Sequence, residues 1–188
     1  MELASIGTVT SKGLVCPHCE KITPVSILRG DRTDEKGNTI YGLRQWEKSD
    51  FDFRENDIYS ERLYAVRYEH TEVLPDGKLQ TTRYYRAPNE RDLANEEKVK
   101  QLVAQNIVSW QEQGLVPSMA IEVGEKTVEV MRNRGWTHWN HLFNARQLLT
   151  NVIFLQKALS MASNKKEFAL SLLILNKNAE WNSRLCRW

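Results

Sequence analysis

The pattern of apolar residues changes at Ala87-Pro88-Asn89, and that switch restricts the fold more than any other feature of the chain. Before it, residues alternate. Tyr64, Val66 and Tyr68 fall on one face and Leu63, Ala65 and Arg67 on the other, and Pro75-Asp76-Gly77 supplies a turn. Lys78 to Arg86 then returns as a second strand rich in Thr and Tyr, so the segment predicts a β-hairpin. After the switch, Asn89 can cap a helix and Asp92 stands in its first turn, where a negative charge favours the helix dipole. Val99, Val103, Ile107 and Trp110 recur at helical spacing until Gly114, which predicts a helix over residues 90–113. An α+β chain follows, with a β part at 1–88 and a helical part at 89–188.

The remaining segments fill in this division. Residues 6–28 read as short strands about the turn Ser11-Lys12-Gly13. Residues 29–60 are charged and rich in Gly, Asp and Asn, with scattered aromatics, and read as a long loop with a mobile tip at Asp34-Glu35-Lys36-Gly37-Asn38. In the helical part, Asn144 and Gln147 form a capping box ahead of the apolar stripe Leu148, Val152, Leu155 and Leu159. A further helix at 165–180 is apolar around most of its circumference, and is expected to be buried on several sides.

Composition narrows the class. With 188 residues, 41% of them hydrophobic, the chain can bury one sizeable core. Its longest apolar run, Phe168 to Leu175, is broken by Ser171 and falls far short of the roughly 20 residues that span a bilayer. No membrane partner is expected, and three cysteines cannot build an even disulfide framework, so a reducing cytoplasm fits. The formal charge of +2 hides an asymmetry: the stretch from Lys126 to Trp188 carries ten Lys or Arg against three Glu, leaving residues 1–125 net acidic. A basic end suits contact with phosphate, and it equally suits solvated helix faces.

Two constellations could carry chemistry. Cys16-Pro17-His18-Cys19 has the spacing of a zinc knuckle, but a structural zinc needs four ligands and the chain offers only this half-site. A redox pair or two structural cysteines are the other readings. The second constellation, residues 131–143, interleaves Arg132, Arg134, Trp136, His138 and Trp139 ahead of the helix that carries Arg146. Guanidinium groups bind phosphate and aromatic faces stack on bases, so these six residues are the candidate nucleic-acid contacts. Alternatively, Trp136, Trp139 and Phe143 are core anchors. His138 and His141 have no carboxylate or cysteine neighbour to complete a metal site, and read as packing or hydrogen-bonding histidines. The end, Trp181-Asn182-Ser183-Arg184-Leu185-Cys186-Arg187-Trp188, is polar and aromatic with no Pro, Gly or charged tail to close it, and looks cut.

Three stretches together resemble one family, the large adenine-specific DNA methylases with a zinc-ribbon insertion found in defence gene clusters. They are Gly7-Thr8-Val9 with Cys16-Pro17-His18-Cys19 and Thr23-Pro24-Val25; Arg62-Leu63-Tyr64-Ala65-Val66 with Arg83-Tyr84-Tyr85-Arg86-Ala87-Pro88-Asn89-Glu90-Arg91-Asp92-Leu93; and Gly135-Trp136-Thr137-His138-Trp139 with the residues from Leu142 to Leu149 and Asn182 to Trp188. The resemblance implies a zinc-ribbon-like N-terminal part, with further metal-binding cysteines upstream, although Glu20 stands where the knuckle usually has Gly. It also implies a Gly-rich loop for S-adenosylmethionine upstream and an Asp/Asn-Pro-Pro-Tyr catalytic motif downstream, neither of which this sequence contains. The chain is therefore expected to be a non-catalytic middle segment of a restriction-modification or phage-defence methyltransferase, inactive alone. Its expected partners are DNA and the rest of the methyltransferase. The alternative is a protein-interaction module or subunit that docks onto the catalytic part.

Overall fold

The computed structural model describes residues 8–10 and 12–184. Gly7, Ser11 and the final Leu185-Cys186-Arg187-Trp188 lie outside the described residues, and with them part of the first landmark, the turn at Ser11 and the third cysteine. The chain is α+β, with small antiparallel sheets in its front half and helices behind. No described helix is long and apolar enough to cross a membrane.

Three short strands open the structure: β1 (Val9–Thr10), β2 (Gly13–Val15) and β3 (Ile22–Thr23), paired in that order, with the Cys-x-x-Cys turn between the last two. Pro24 then starts the one-turn helix α1 (Val25–Arg29). The segment 29–60, expected as a loop, contains a small hairpin, β4 (Arg32–Thr33) with β5 (Thr39–Ile40). Its tip is tied rather than loose. The Asp34 carboxylate accepts hydrogen bonds from the backbone of Lys36 and Asn38 and from the Asn38 side chain. Those bonds, that of the Asn38 side chain foremost, also hold the Asp34 carboxyl below the usual carboxylate range.

The long hairpin forms about the Pro-Asp-Gly turn, although its first strand starts at Val66, past Leu63, Tyr64 and Ala65 of the alternating stretch: β6 (Val66–Val73) pairs with β7 (Leu79–Arg86) in unbroken register from Val66 opposite Arg86 to Val73 opposite Leu79. Helix α2 (Glu90–Glu112) starts at a capping box. Asn89 accepts from the Asp92 N–H and the Asp92 carboxylate accepts from the Asn89 N–H, so two donors of the first turn are satisfied. Helix α3 (Thr127–Arg134) is short, and α4 (Ala145–Met161) begins at the Asn144–Gln147 box. Helix α5 (Lys165–Trp181) closes the described chain, capped by Asn164.

The core is the seam between α2 and α4. Val103, Ile107 and Trp110 interdigitate with Ala145, Leu148 and Val152, and Val116 closes the end where the chain leaves α2. Phe51 and Phe143 pack on its margin, so the loop before the hairpin and the helices behind it share one core. Packing therefore runs across residue 88, where the sequence pattern changes. The last helix departs from expectation. Leu170, Leu173 and Ile174 are 59%, 66% and 52% exposed, because α4 is the helix packed against α5 and one neighbour covers one stripe.

Removing the Leu148 side chain leaves a cavity in the α2–α4 seam, so Leu148→Ala should cost about 2–5 kcal/mol, whereas Leu173→Ala on the open face of α5 should stay within about 0.5 kcal/mol. Urea unfolding followed by tryptophan fluorescence measures both. Equal effects would mean that this seam is not the core.

Candidate functional site

The segment singled out by its Arg, Trp and His residues folds around a conformational requirement at Gly135. Helix α3 ends there in the left-handed region, with φ of 73°, and Gly135 lies so close to the loop that a Cβ would sit 2.1 Å from the Arg44 carbonyl oxygen. Only glycine meets both conditions. Its carbonyl accepts the Trp46 N–H at 2.8 Å, which lays the loop of residues 43–57 against the end of α3. The chain then runs extended: Thr137 O accepts the Ile121 N–H and the Trp139 N–H is given to Met119 O. A 3-10 turn, Trp139–Leu142, leads into Asn144 and α4.

Loop 43–57 has no regular structure to satisfy its backbone, and side chains from other elements do so. Thr137 Oγ1 donates to Trp46 O, His141 Nε2 to Glu47 O, and both Gln111 Nε2 and Asn140 Nδ2 to Lys48 O. Asn140 also donates to Asp50 O, and Arg184 Nη2 to Phe51 O. Within the loop, Arg44 bridges the Asp57 carboxylate at 2.7 and 2.8 Å and the Asp50 carboxylate at 2.5 Å. The bond to Asp57, and then that to Asp50, raise the Arg44 guanidinium above its ordinary value, and the Asp57 carboxyl is lowered in turn. At Asp50, burial opposes ionisation. Hydrogen bonds from Arg44, the Glu47 N–H and Arg54 outweigh it and hold the group below its usual range.

Two buried groups fix the electrostatics. The Arg184 guanidinium, with its side chain 4% exposed, lies 5.4, 5.6 and 5.5 Å from the rings of Trp46, Phe53 and Trp136. It donates to His141 O, Phe51 O and Glu61, which supplies the counter-charge. Cation–π contact and the bonds to His141 O, Phe51 O and Glu61 counter the desolvation of this charge in part, and burial, the largest effect, leaves the guanidinium below its ordinary value. His141 is fully buried. Its Nδ1 accepts the N–H groups of Thr137 and His138 and so carries no proton, which puts the hydrogen on Nε2, facing Glu47 O. Burial first, and then the charges of His138 and Arg184 against the bond to Glu47, bring its pKa down to about 4.

The candidate residues separate in space. Trp136 is 2% exposed, an anchor edge-on to Trp46, so its ring is not presented to a base. Trp139 is 39% exposed on the outer side of the same turn. Arg132 and Arg134 occupy the last turn of α3, where cations complement the helix dipole, and Arg134 spreads over the Tyr59 ring at 5.3 Å. His138 is half-buried; its Nδ1–H donates to the Thr137 hydroxyl, whose own hydrogen is committed to Trp46 O, and burial lowers its pKa. Arg146 stands apart, ion-paired with Glu96 beside an open cleft of about 1030 Å³ between the foot of the long hairpin and helices α2 and α4.

Cys16 and Cys19 lie far forward on the chain, in the β2–β3 turn. The N–H groups of Cys19 and His18 point at the Cys16 sulfur, with the Cys19 side chain adding a weaker contact, and hold that thiol below its ordinary value. Glu20 adopts a φ of 57°, so the position a knuckle normally gives to Gly retains the left-handed backbone. Among the described residues, no three or more His, Cys, Asp and Glu side chains gather into a further metal-binding group. A complete tetrahedral site is not assembled from these residues.

Sequence reasoning missed Arg44, Trp46, Asp50, Asp57 and Asn140. The one available signal was Trp46, Phe51 and Phe53 within a charged stretch, since large aromatics in a polar loop mark a place where the loop is anchored. No protein-family model matches the chain, and no curated protein or solved structure matches it.

Because His141 titrates near pH 4 when folded and near 6.5 when unfolded, the unfolded chain binds the extra proton between those values. Its contribution is complete above pH 6.5 and is lost as pH falls through 4, a total of about 3 kcal/mol, with about 2 kcal/mol gone by pH 5. Urea unfolding at pH 7 and pH 5 should show that loss, and His141→Gln should be weaker at pH 7 with a flatter pH dependence. An unchanged slope in the variant would refute the assignment.

Proposed function

We propose that this chain is a non-catalytic DNA-binding segment of an adenine-specific DNA methyltransferase of the restriction-modification or phage-defence kind. The observation that carries the reading is the two-sidedness of the stretch from α3 to α4. Its inward side chains, Trp136, Thr137, Asn140 and His141, hold loop 43–57, while Arg134 and Trp139 are exposed on a backbone so fixed and Arg132, half-buried, stands in the last turn of α3 beside them. The two ends of the third stretch behind the family resemblance meet here too, since Arg184 is packed on Trp136 and bonded to His141 O. An enzyme that modifies adenine must draw the base out of the stack, so the flanking duplex has to be gripped outside the catalytic pocket. Guanidinium groups on a rigid ledge suit that grip.

S-adenosylmethionine does not fit the residues present. The described strands pair antiparallel, and none passes into a helix through a Gly-rich turn, so the cofactor and the catalytic loop belong to the remainder of the methyltransferase. Zinc fits in part. Cys16 and Cys19 would be two of its ligands, converging from one turn whose N–H groups favour thiolate, and the other ligands would come from outside the described residues. A second reading, a module that docks onto the catalytic part, is favoured by the apolar side chains on the open face of α5 together with Leu159 and Met161 of α4, 56% and 75% exposed.

Binding of the chain to duplex DNA should weaken steeply with salt, and Arg132→Ala with Arg134→Ala should lower the slope of log affinity against log salt by about 2. Absence of binding at low salt, or self-association on size-exclusion chromatography without any DNA affinity, would favour the docking module instead. For the metal, zinc released to a chromophoric chelator should disappear in Cys16→Ser with Cys19→Ser; equal release from the variant would remove the knuckle from the reading.

A further inference from the structure

The long hairpin is used by nothing described so far. Its strands pair only with each other, and fourteen of their sixteen residues are exposed, all but Val66 and Tyr68, so both faces of an eight-residue ribbon are bare. It reaches about 25 Å from its foot. A free two-stranded hairpin is marginal in water, and this one is stiffened from within. Tyr68 and Tyr84 stack across the strands at 5.4 Å and 11°, and the Arg86 guanidinium covers Tyr84 at 5.1 Å. On the other face the Thr71 and Thr81 hydroxyls meet at 3.0 Å, and Glu69 lies between Arg83 at 2.8 Å and Arg67 at 3.5 Å.

The side chains are sorted along the ribbon. Arg67, Arg83 and Arg86 lie near the foot. With Lys78 at the turn, four cations stand against Glu69, Glu72 and Asp76: Glu69 is shared between Arg67 and Arg83, Asp76 pairs with Lys78 at 2.9 Å, and Arg86 lies over the tyrosine pair. The tip is apolar: Val73 and Leu79 face each other in the last register pair, 70% and 71% exposed, with exposed Pro75 beyond them in the turn. Cations at the foot of a ribbon suit the phosphates that border a groove, and small apolar wedges such as Leu and Pro are the groups that enter between base steps from the minor groove and kink the duplex.

We propose that the β6–β7 hairpin is a DNA arm that lies along a groove of duplex DNA, grips phosphates through Arg83 and Arg86, and bends the duplex by inserting its Val73, Pro75 and Leu79 tip at a base step. This deepens the DNA-binding reading above and rests on it. The bend opens a step, which eases extrusion of a neighbouring base. Because the arm contributes no residue to the α2–α4 core and holds no tryptophan, its variants leave the body of the protein intact.

The test is a duplex of about 30 base pairs with fluorescent donor and acceptor at its ends, titrated with the full 188-residue chain at several salt concentrations. The unaltered chain brings the ends together. Val73→Ser with Leu79→Ser keeps affinity within about threefold and loses the bend, and Arg83→Gln with Arg86→Gln lowers the salt slope by about 2. Intrinsic tryptophan fluorescence checks that each variant is folded. Binding in which both arm variants match the unaltered chain overturns the arm while leaving the DNA-binding reading in place. No binding to duplex at all overturns both, and capture by anionic vesicles with none by duplex assigns the tip to a lipid surface instead.

Discussion

A run of backbone carbonyls that no helix or strand could satisfy is the constraint on which the rest of this structure depends. Trp46, Glu47, Lys48, Asp50 and Phe51 offer their oxygens inward, and Thr137, His141, Gln111, Asn140 and Arg184 each donate to them. A carbonyl turned inward without a donor costs as much as a lost hydrogen bond, so the inner side of the loop, with Trp46 buried, can pack on the body only if these residues arrive together. They come from α2, from the turn before α4 and from beyond α5. The knot therefore couples elements that are far apart in sequence. It also places the Arg184 charge among three aromatic rings, where loss of Glu61 or of the ring stack would strand it.

That coupling explains the distribution of function proposed here. With Trp136, Asn140 and His141 committed to the interior, Arg134 and Trp139 of the same short segment are left exposed on a backbone that cannot shift without breaking the knot. Arg132, Arg134 and Trp139 gain a fixed geometry at no cost to the core. The long hairpin follows the opposite logic. It contributes nothing to the core, and its internal stacking lets it stand as a separate, slender element at the margin of the body. A rigid ledge and a protruding arm are complementary ways of holding an elongated, charged partner.

The readable parts of the sequence were those governed by near neighbours. The Asn89–Asp92 and Asn144–Gln147 boxes involve residues three apart, and the hairpin register follows from alternation and one Pro-Asp-Gly turn. By contrast, nothing local showed that the loop within residues 29–60 is tied down, because its anchors are Gln111, Thr137, Asn140, His141 and Arg184, at separations that no local pattern reports. The apolar circumference of α5 misled in the other direction, since it signals what a helix could bury and not how many neighbours it has.

By itself the sequence determined the long hairpin, the three long helices, the caps that start α2 and α4 and the residue types available for phosphate and metal contact, because those depend on periodicity and on hydrogen bonds spanning a few residues, whereas the short elements α1, β4, β5 and α3 carried no such pattern. Only the tertiary structure decided which tryptophan is an anchor and which is exposed, which arginine is a buried structural cation and which faces solvent, and that His141 stays neutral. The reason is physical: the burial and charge state of a side chain are set by what packs against it, and at Trp136, Arg184 and His141 the deciding neighbours come from a loop 80 to 140 positions away.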